Sequence, residues 1–405
     1  MGRRFGERAI SKFRQDGIRS LLRSAARYAV RYPVNGYYLL SEDEDIFSYA
    51  SEVYCVEAGT ESIIEYDGSF DPPHPSQIPF VEGRAVSDPR YVCAFRDATL
   101  RGSRPLVHVD GKFILPSSIG NSGINDNKER YTFRRSQRVH ELLSSAVSHT
   151  RFEPDIDTAF LLAGHFTVFG HWTFEVLPKL RALEEYTKRT GKEPEIVTKG
   201  QLNSWQRESL ALLGYPPESI VEKPERAVGV RTLLVPSHRY LTWTHVPSFP
   251  SSRDLHWVRE RINGSCSSPA EAFGERIYIC REDAPRRRVV NRKAVYSILD
   301  EYDFEIYEPG RLSFDDQVRL FAGADLIVGP YGAGMSNIVF ADNANIVELV
   351  VDAERNIHHF VLANLLDLDY EYVYCRSQNN GEVATRDSDI MVDTERLRAV
   401  LESLI

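Results

Sequence analysis

The sequence predicts an α/β protein with two parallel sheets facing each other across a cleft. Two observations carry that expectation. Strands and helices alternate in two separate blocks, one after residue 155 and one after residue 274, as strand–helix–strand units do. Within the second block, Ala324 to Phe340 reads as a buried strand, a glycine turn and a helix start. Leu326, Ile327 and Val328 are an apolar run bounded by Gly329 and Pro330, as expected of a central parallel strand. Gly332 and Gly334 let the backbone turn and approach a ligand. Ser336 and Asn337 can cap the next helix, whose first N–H groups then form an anion site.

The elements follow in order. Residues 1–50 form a basic helical segment that becomes irregular. Residues 51–150 are richer in Pro, Gly and short alternating runs. Leu106 to Leu115 signals a hairpin with Asp110-Gly111 at its turn. The first α/β block has strands at 158–163, 196–197 and 230–235. Its helices are at 171–190, 205–213 and 255–262. Linker-like stretches flank the last of these, at Pro247 to Pro250 and Gly264 to Pro269. The second block has strands at 276–280, 304–307, 326–328, 346–351 and 370–375. Its helices are at 293–299, 314–321 and 357–366, with a final helix at 392–404. Four divisions follow: 1–50, 51–265, 266–380, and 381–405, a terminal helix packing back on the first domain.

Composition bounds the function. Hydrophobic residues make up 42% and charged residues 26%, as in folded globular chains. No run nears the ~20 apolar residues that span a bilayer, and the basic start lacks the apolar core of a secretory leader. Cys55, Cys93, Cys266, Cys280 and Cys375 are scattered, which suits free thiols in a reducing compartment such as the cytoplasm. Residues 1–36 carry nine Lys and Arg against Glu7 and Asp16, a net +7. The total is −9, so the remainder is −16. An acidic body argues against nucleic acid as a partner. The basic leader reads either as an amphipathic peripheral membrane contact or as a solvated helix packed on the body.

Three segments carry chemistry. Arg281, Arg286, Arg287 and Arg288 lie within eight residues at a strand's carboxyl end, where guanidinium groups suit a diphosphate. A solvated basic loop is the alternative. His171 and Glu175 stand at i and i+4 on one helix face, as a general base and its partner or as a satisfied buried pair. Ser313 caps a helix with Gln317 one turn in. Glu348, a lone charge inside the strand Ile346 to Val351, is either a ribose-binding carboxylate or a strand-end residue. No HExxH and no third ligand near His171 is present, so no metal site is expected.

The order of these motifs resembles glycosyltransferase family 61 over residues 95–375. The hairpin at 106–115, His171-Trp172…Glu175…Leu177-Pro178 and Tyr278-Ile279-Cys280-Arg281 with Arg288 and Asn291 carry the likeness. Leu312-Ser313-Phe314…Gln317 and Gly332-Ala333-Gly334-Met335-Ser336-Asn337…Glu348-Leu349 complete it. This chain departs from the pattern in having Tyr331 for a histidine, Arg292 for a glutamate and Glu175 for an aspartate. The resemblance implies a GT-B-like architecture: two Rossmann-like domains across a cleft, after an N-terminal helical and β-hairpin extension. It implies an inverting, metal-independent transferase with no cofactor, using a nucleotide sugar, UDP-sugar above all, on a glycan or lipid-linked acceptor. Arg281, Arg286, Arg288, Asn291, Gln317, Tyr331, Gly332, Ala333, Gly334, Ser336, Asn337 and Glu348 would hold the donor. Glu175, with His171 beside it, would take the acceptor proton; His165 is the next candidate. Two rivals remain. An oxidoreductase or epimerase would need an early GxGxxG, which the segment 164–171 lacks. A non-catalytic sugar- or nucleotide-binding module would bind without turnover.

Overall fold

Alternating apolar positions build the first sheet. Along Arg90–Arg101, Val92 and Ala94 enter one apolar cluster while Cys93 and Phe95 enter another, the period of two of a strand buried on both faces. The computed structural model describes residues 39–40, 43–64, 83–87, 89–101, 106–114, 152–163, 168–224, 226–238, 250–266, 273–351, 358–378, 385 and 387–405. The basic leader and His165 lie outside them.

The first sheet contains β1 (Leu39–Leu40), β2 (Glu52–Glu57), β5 (Arg90–Arg101), β6 (Leu106–Val109), β7 (Lys112–Ile114), β8 (Ile156–Leu162), β9 (Glu195–Thr198), β10 (Ile220–Glu222) and β11 (Val228–Pro236). Its order is β1-β7-β6-β5-β11-β8-β9-β10, with β2 also on β5. β3 (Thr60–Ile64) and β4 (Gly83–Ser87) pair separately. The sheet is mixed, which corrects the expectation of a parallel one. β11, β8, β9 and β10 run parallel, whereas β5 is antiparallel to β11, β2 and β6. Short hairpin turns cannot join parallel neighbours. At the β6–β7 turn, Asp110 (φ 45°) and Gly111 (φ 74°) are both left-handed, as such a two-residue turn requires.

The second sheet contains β12 (Arg276–Ile279), β13 (Glu305–Tyr307), β14 (Leu326–Pro330), β15 (Asn345–Val351), β16 (Asp369–Gln378) and β17 (Asp389–Val392). The order β13-β12-β14-β15-β16-β17 is parallel except for the β17 edge. The chain leaves β12 for β13 on one side and returns to β14 on the other. The carboxyl ends of β12 and β14 are therefore a topological switch point, where open α/β sheets bind ligands.

The helices are α1 (Asp43–Tyr49), α2 (Phe169–His171), α3 (Lys179–Thr190), α4 (Ser204–Leu212), α5 (Ser252–Asn263), α6 (Arg292–Glu301), α7 (Phe314–Ala322), α8 (His358–Leu365) and α9 (Thr394–Leu404). One apolar cluster joins Phe160 and Leu234 of the first sheet to Ile277, Ile327 and Ile346 of the second through α3, α4, α5, α7 and α8. Ile46 of α1 packs on the outer face of the first sheet. Leu397, Val400 and Leu401 of α9 pack with Val295 and Leu299 of α6 on the outer face of the second sheet. The terminal helix thus belongs to the second unit, which corrects the expected return to the first; its apolar stripe matches the nearest uncovered sheet face. The 265/266 division is also bridged. Arg259 Nη1 of α5 donates to Ala341 O at 3.0 Å, and Asn263 Nδ2 donates to Phe340 O at 3.0 Å.

Candidate active site

The helix expected over 171–190 is interrupted, and the interruption builds the site. After α2 the chain widens into a π turn, Trp172–Val176, before α3 resumes at Lys179. Pro178 supplies the reason. It has no N–H for the carbonyl four residues back, and its ring would clash there. Instead Leu177 N bonds Trp172 O at 2.9 Å, a five-residue step. The turn is anchored by Trp172 Nε1 donating to Ser209 Oγ of α4 at 2.9 Å.

His171 and Glu175 remain together. Nδ1 of His171 lies 2.6 Å from Glu175 Oε1. The Glu175 carboxylate is enclosed, 2% exposed, while the His171 side chain is 20% exposed. On the other side, His238 Nε2 lies 3.4 Å from Glu175 Oε2. Burial pushes the Glu175 carboxyl up, but the hydrogen bonds and charges of His171 and His238 outweigh it and hold the group at about 2. An enclosed carboxylate so far from neutral pH is a weak proton acceptor. It is well suited to fix the His171 ring with Nδ1–H inward, which leaves Nε2 for a substrate proton.

Behind this pair runs a buried charged network that the sequence reading did not include. Lys179 donates from Nζ to Ala163 O at 2.5 Å. Burial, then the Arg90 charge, lowers its pKa to about 7 against the opposing pull of Glu175. Arg90 pairs with Asp254, and Arg181 bridges Asp254 Oδ1 at 2.9 Å and Glu57 Oε2 at 2.5 Å. These contacts tie β5, α3, α5 and β2 together beneath the histidine.

At the switch point, the loop after β12 meets the turn after β14. Arg281 lies over Gly332 so closely that a Cβ there would sit 1.9 Å from Nη1. Gly332 has φ 169°, extended backbone open to any residue, so clearance rather than turn geometry demands glycine. Arg287 occupies the left-handed region at φ 58°, and its Cζ stands 5.3 Å from the Tyr331 ring centroid. Among the described residues, neither Arg281 nor Arg287 closes an ion pair, and the Nε atoms of both are buried without a hydrogen-bond partner. Burial, then the charges of Arg287 and Arg286, lowers the pKa of Arg281, with Asp283 opposing. A cation destabilised in this way is relieved by an anion.

The other expected donor residues divide into two groups. Arg286 and Arg288 turn outward to Asp387 and Asp389, at 2.7 and 2.8 Å. Asn291 spends both ends of its amide on the Val392 backbone, at 2.8 and 3.0 Å, and pins β17. Gln317 and Asn337 bond each other at 3.1 Å beneath the turn, and Asn337 Nδ2 also donates to Gly334 O at 3.0 Å, so they brace it from behind. The expected helix cap moves as well. A 3-10 helix, Ala333–Phe340, begins at Gly332, placing Ser336 and Asn337 inside it instead of at its cap. Glu348 is 1% exposed; Oε1 meets His359 Nδ1 at 2.5 Å and Oε2 accepts from Tyr370 at 2.7 Å. Both oxygens are engaged and the carboxylate is enclosed beneath the turn, in place of the open position expected of a ribose ligand. Ser313 caps α7 as expected, accepting from Asp316 N at 3.0 Å.

Sequence reading passed over His238, Arg287 as a distinct member of its run, and His359. His238 carried a usable signal, since it follows the carboxyl end of β11. Arg287 carried none, because only its left-handed backbone separates it from its neighbours. His359, at the start of α8, becomes meaningful only once β15 lies beside it.

The two halves of the site touch. Gly170, next to His171, faces Ser336 of the glycine turn, and a Cβ on Gly170 would stand 2.6 Å from Ser336 Oγ. The His171–Glu175 dyad stands on one side of this contact, and Arg281 and Arg287, which close no ion pair among the described residues, stand on the other. No curated protein matches the chain. Residues 169–347 match the family model described as Glycosyltransferase 61, a span that opens at the helix of His171 and includes the whole anion turn. Over that span the chain is similar to glycosyltransferase family 61.

Proposed function

We propose that this protein is an inverting, metal-independent glycosyltransferase that moves a sugar from a nucleotide sugar, UDP-sugar first, to a hydroxyl of a glycan or lipid-linked acceptor. The single observation that carries this reading is the contact of Gly170 with Ser336, which sets His171 beside the Arg281–Gly332 turn. Arg281 and Arg287 neutralise the donor diphosphate, aided by the first N–H groups of the Ala333–Phe340 helix. Fixed positive charge makes the nucleoside diphosphate a better leaving group. His171 Nε2 takes the acceptor proton as the oxygen attacks the anomeric carbon from the face opposite the leaving group. Glu175 holds the ring and stabilises the imidazolium. This exchanges the roles first read from the sequence, where Glu175 was the base.

The two sheets with a shared helical layer support a GT-B-like arrangement, with the donor on the second unit and the acceptor against the first. No described helix is long and apolar enough to cross a membrane. Peripheral contact of a cytoplasmic enzyme through the basic leader is part of this proposal. The test is transfer or hydrolysis across a panel of UDP-, GDP- and dTDP-sugars, with and without EDTA. Turnover with one donor in excess EDTA and inverted anomeric product supports the reading. Activity restored only by a divalent ion overturns its metal-independent part, and nucleotide binding without turnover favours the binding-module alternative.

A further inference from the structure

A second carboxylate–imidazole pair lies under the anion turn. Its order is Tyr370 to Glu348 Oε2 at 2.7 Å, Glu348 Oε1 to His359 Nδ1 at 2.5 Å, and His359 Nε2 to Ser336 Oγ at 3.4 Å. His359 and Ser336 are each 4% exposed, and the Tyr331 ring centroid stands 5.2 Å from that of His359. In a 3-10 helix, residues three apart eclipse, so Ser336 lies one turn behind the exposed Ala333 on the same face. Nothing in the transfer chemistry above uses this chain of groups.

Proton accounting gives it a direction. Glu348 is an acceptor, and Tyr370 donates to it, so His359 must donate Nδ1–H to Oε1. A neutral ring then offers only a lone pair at Nε2, and the Ser336 proton points inward to it. An imidazolium ring donates from Nε2 instead, and the Ser336 proton is released toward the turn. An anion on the turn favours the second arrangement. Among the described residues, Glu348 from β15 bonds the ring, Tyr370 from β16 reaches it through Glu348, and Tyr331 from the turn lies beside it with Arg287 on the Tyr331 ring.

We propose that His359 is a positioning residue for the donor diphosphate, acting through Ser336: held by Glu348 and Tyr370, it takes up a proton from solvent when the diphosphate binds and turns the Ser336 hydroxyl outward to donate to a phosphate oxygen. The inference rests on the reading of the turn as the donor site. It gives the enzyme a neutral hydrogen-bond donor whose direction is set from below, beside two arginines that supply charge.

The experiment is calorimetric titration of the full chain with UDP and with inorganic pyrophosphate, each in two buffers of different ionisation enthalpy. The wild-type protein is expected to take up a fraction of a proton on binding, which His359→Gln and Ser336→Ala both abolish. Each variant should weaken binding about three- to tenfold, and the double variant should be no worse than either single one, because both act through one hydrogen bond. Additive losses, or proton uptake unchanged in His359→Gln, overturn the proposal, as does Ser336→Ala binding like wild type. Ser336→Ala removes one oxygen and keeps the test open should His359→Gln fold poorly. Arg281→Ala separates the two readings. If it weakens both ligands while the His359 and Ser336 variants do not, the donor site stands and this proposal falls. If no protein, wild type included, binds either ligand, both fall together.

Discussion

Gly170 and Ser336 meet so closely that the smallest side chain on Gly170 would place a carbon 2.6 Å from the serine oxygen and 2.7 Å from Phe174 Cζ. The helix of His171 and the turn of Gly332 are thereby held at one fixed spacing. Gly170→Ala should separate them. Overpacking of this kind costs about 1–3 kcal/mol. The expected outcome is a lower melting temperature and at least a tenfold loss of kcat, with UDP affinity within about threefold of wild type. Equal losses in affinity and kcat would show that the contact serves folding alone.

The His171–Glu175 pair separates by substitution. His171→Ala should lose about 10²-fold or more in kcat, the usual size of a general-base effect, with UDP binding unchanged. Glu175→Gln should lose less, since the amide oxygen still accepts from Nδ1 but carries no charge. Steady-state kinetics on both variants decide the order. A dead Glu175→Gln with an active His171→Ala would restore the carboxylate as base.

Glu175 also makes stability depend on acid. Its folded pKa, about 2, lies below its ordinary value of 4.5, so it binds protons more weakly when folded. Its contribution is complete above about pH 4.5 and is lost as pH falls toward 2. The stability gap between wild type and Glu175→Gln in urea unfolding should therefore hold its full size above about pH 5 and shrink as pH falls below about 4.5. A gap that widens in acid would contradict the assignment.

The four arginines of the β12 loop should not be equivalent. Arg281→Ala and Arg287→Ala should each weaken UDP and GDP binding about tenfold or more, as expected for loss of a charge-assisted hydrogen bond of roughly 1.5–3 kcal/mol. Arg286→Ala and Arg288→Ala remove exposed pairs with Asp387 and Asp389 and should change affinity little. Titration calorimetry on the set checks this. Matching losses in all four variants would favour a diffuse basic field over two directed groups.

Gly332→Ala separates clearance from backbone freedom. Its φ of 169° suits alanine, so the backbone should keep its course while the Arg281 guanidinium is displaced. The expected result is a melting temperature near wild type with UDP affinity reduced about as far as in Arg281→Ala. A large drop in melting temperature with affinity intact would place the constraint in the turn itself.

Much of this protein was legible in its sequence. The α/β class, the Asp110-Gly111 hairpin, the strand–turn–helix around Gly332 and the i, i+4 pairing of His171 with Glu175 all follow from spacing along the chain, because hydrophobic period and turn chemistry are local. Charge and aromatic content likewise needed no coordinates. Tertiary structure decided which polar groups have something left to give. Arg286, Arg288, Asn291 and Glu348 read as ligand-binding residues until Asp387, Asp389, the Val392 backbone, and His359 with Tyr370 are seen to occupy them. Those partners lie up to about a hundred residues away, and their pairing is set by strand order, which local pattern does not encode. The same is true of Glu175. Its position on the helix was readable, but its enclosure between His171 and His238 depends on the end of β11 reaching the π turn, and the role proposed for it, as support of the His171 base, rests on that enclosure.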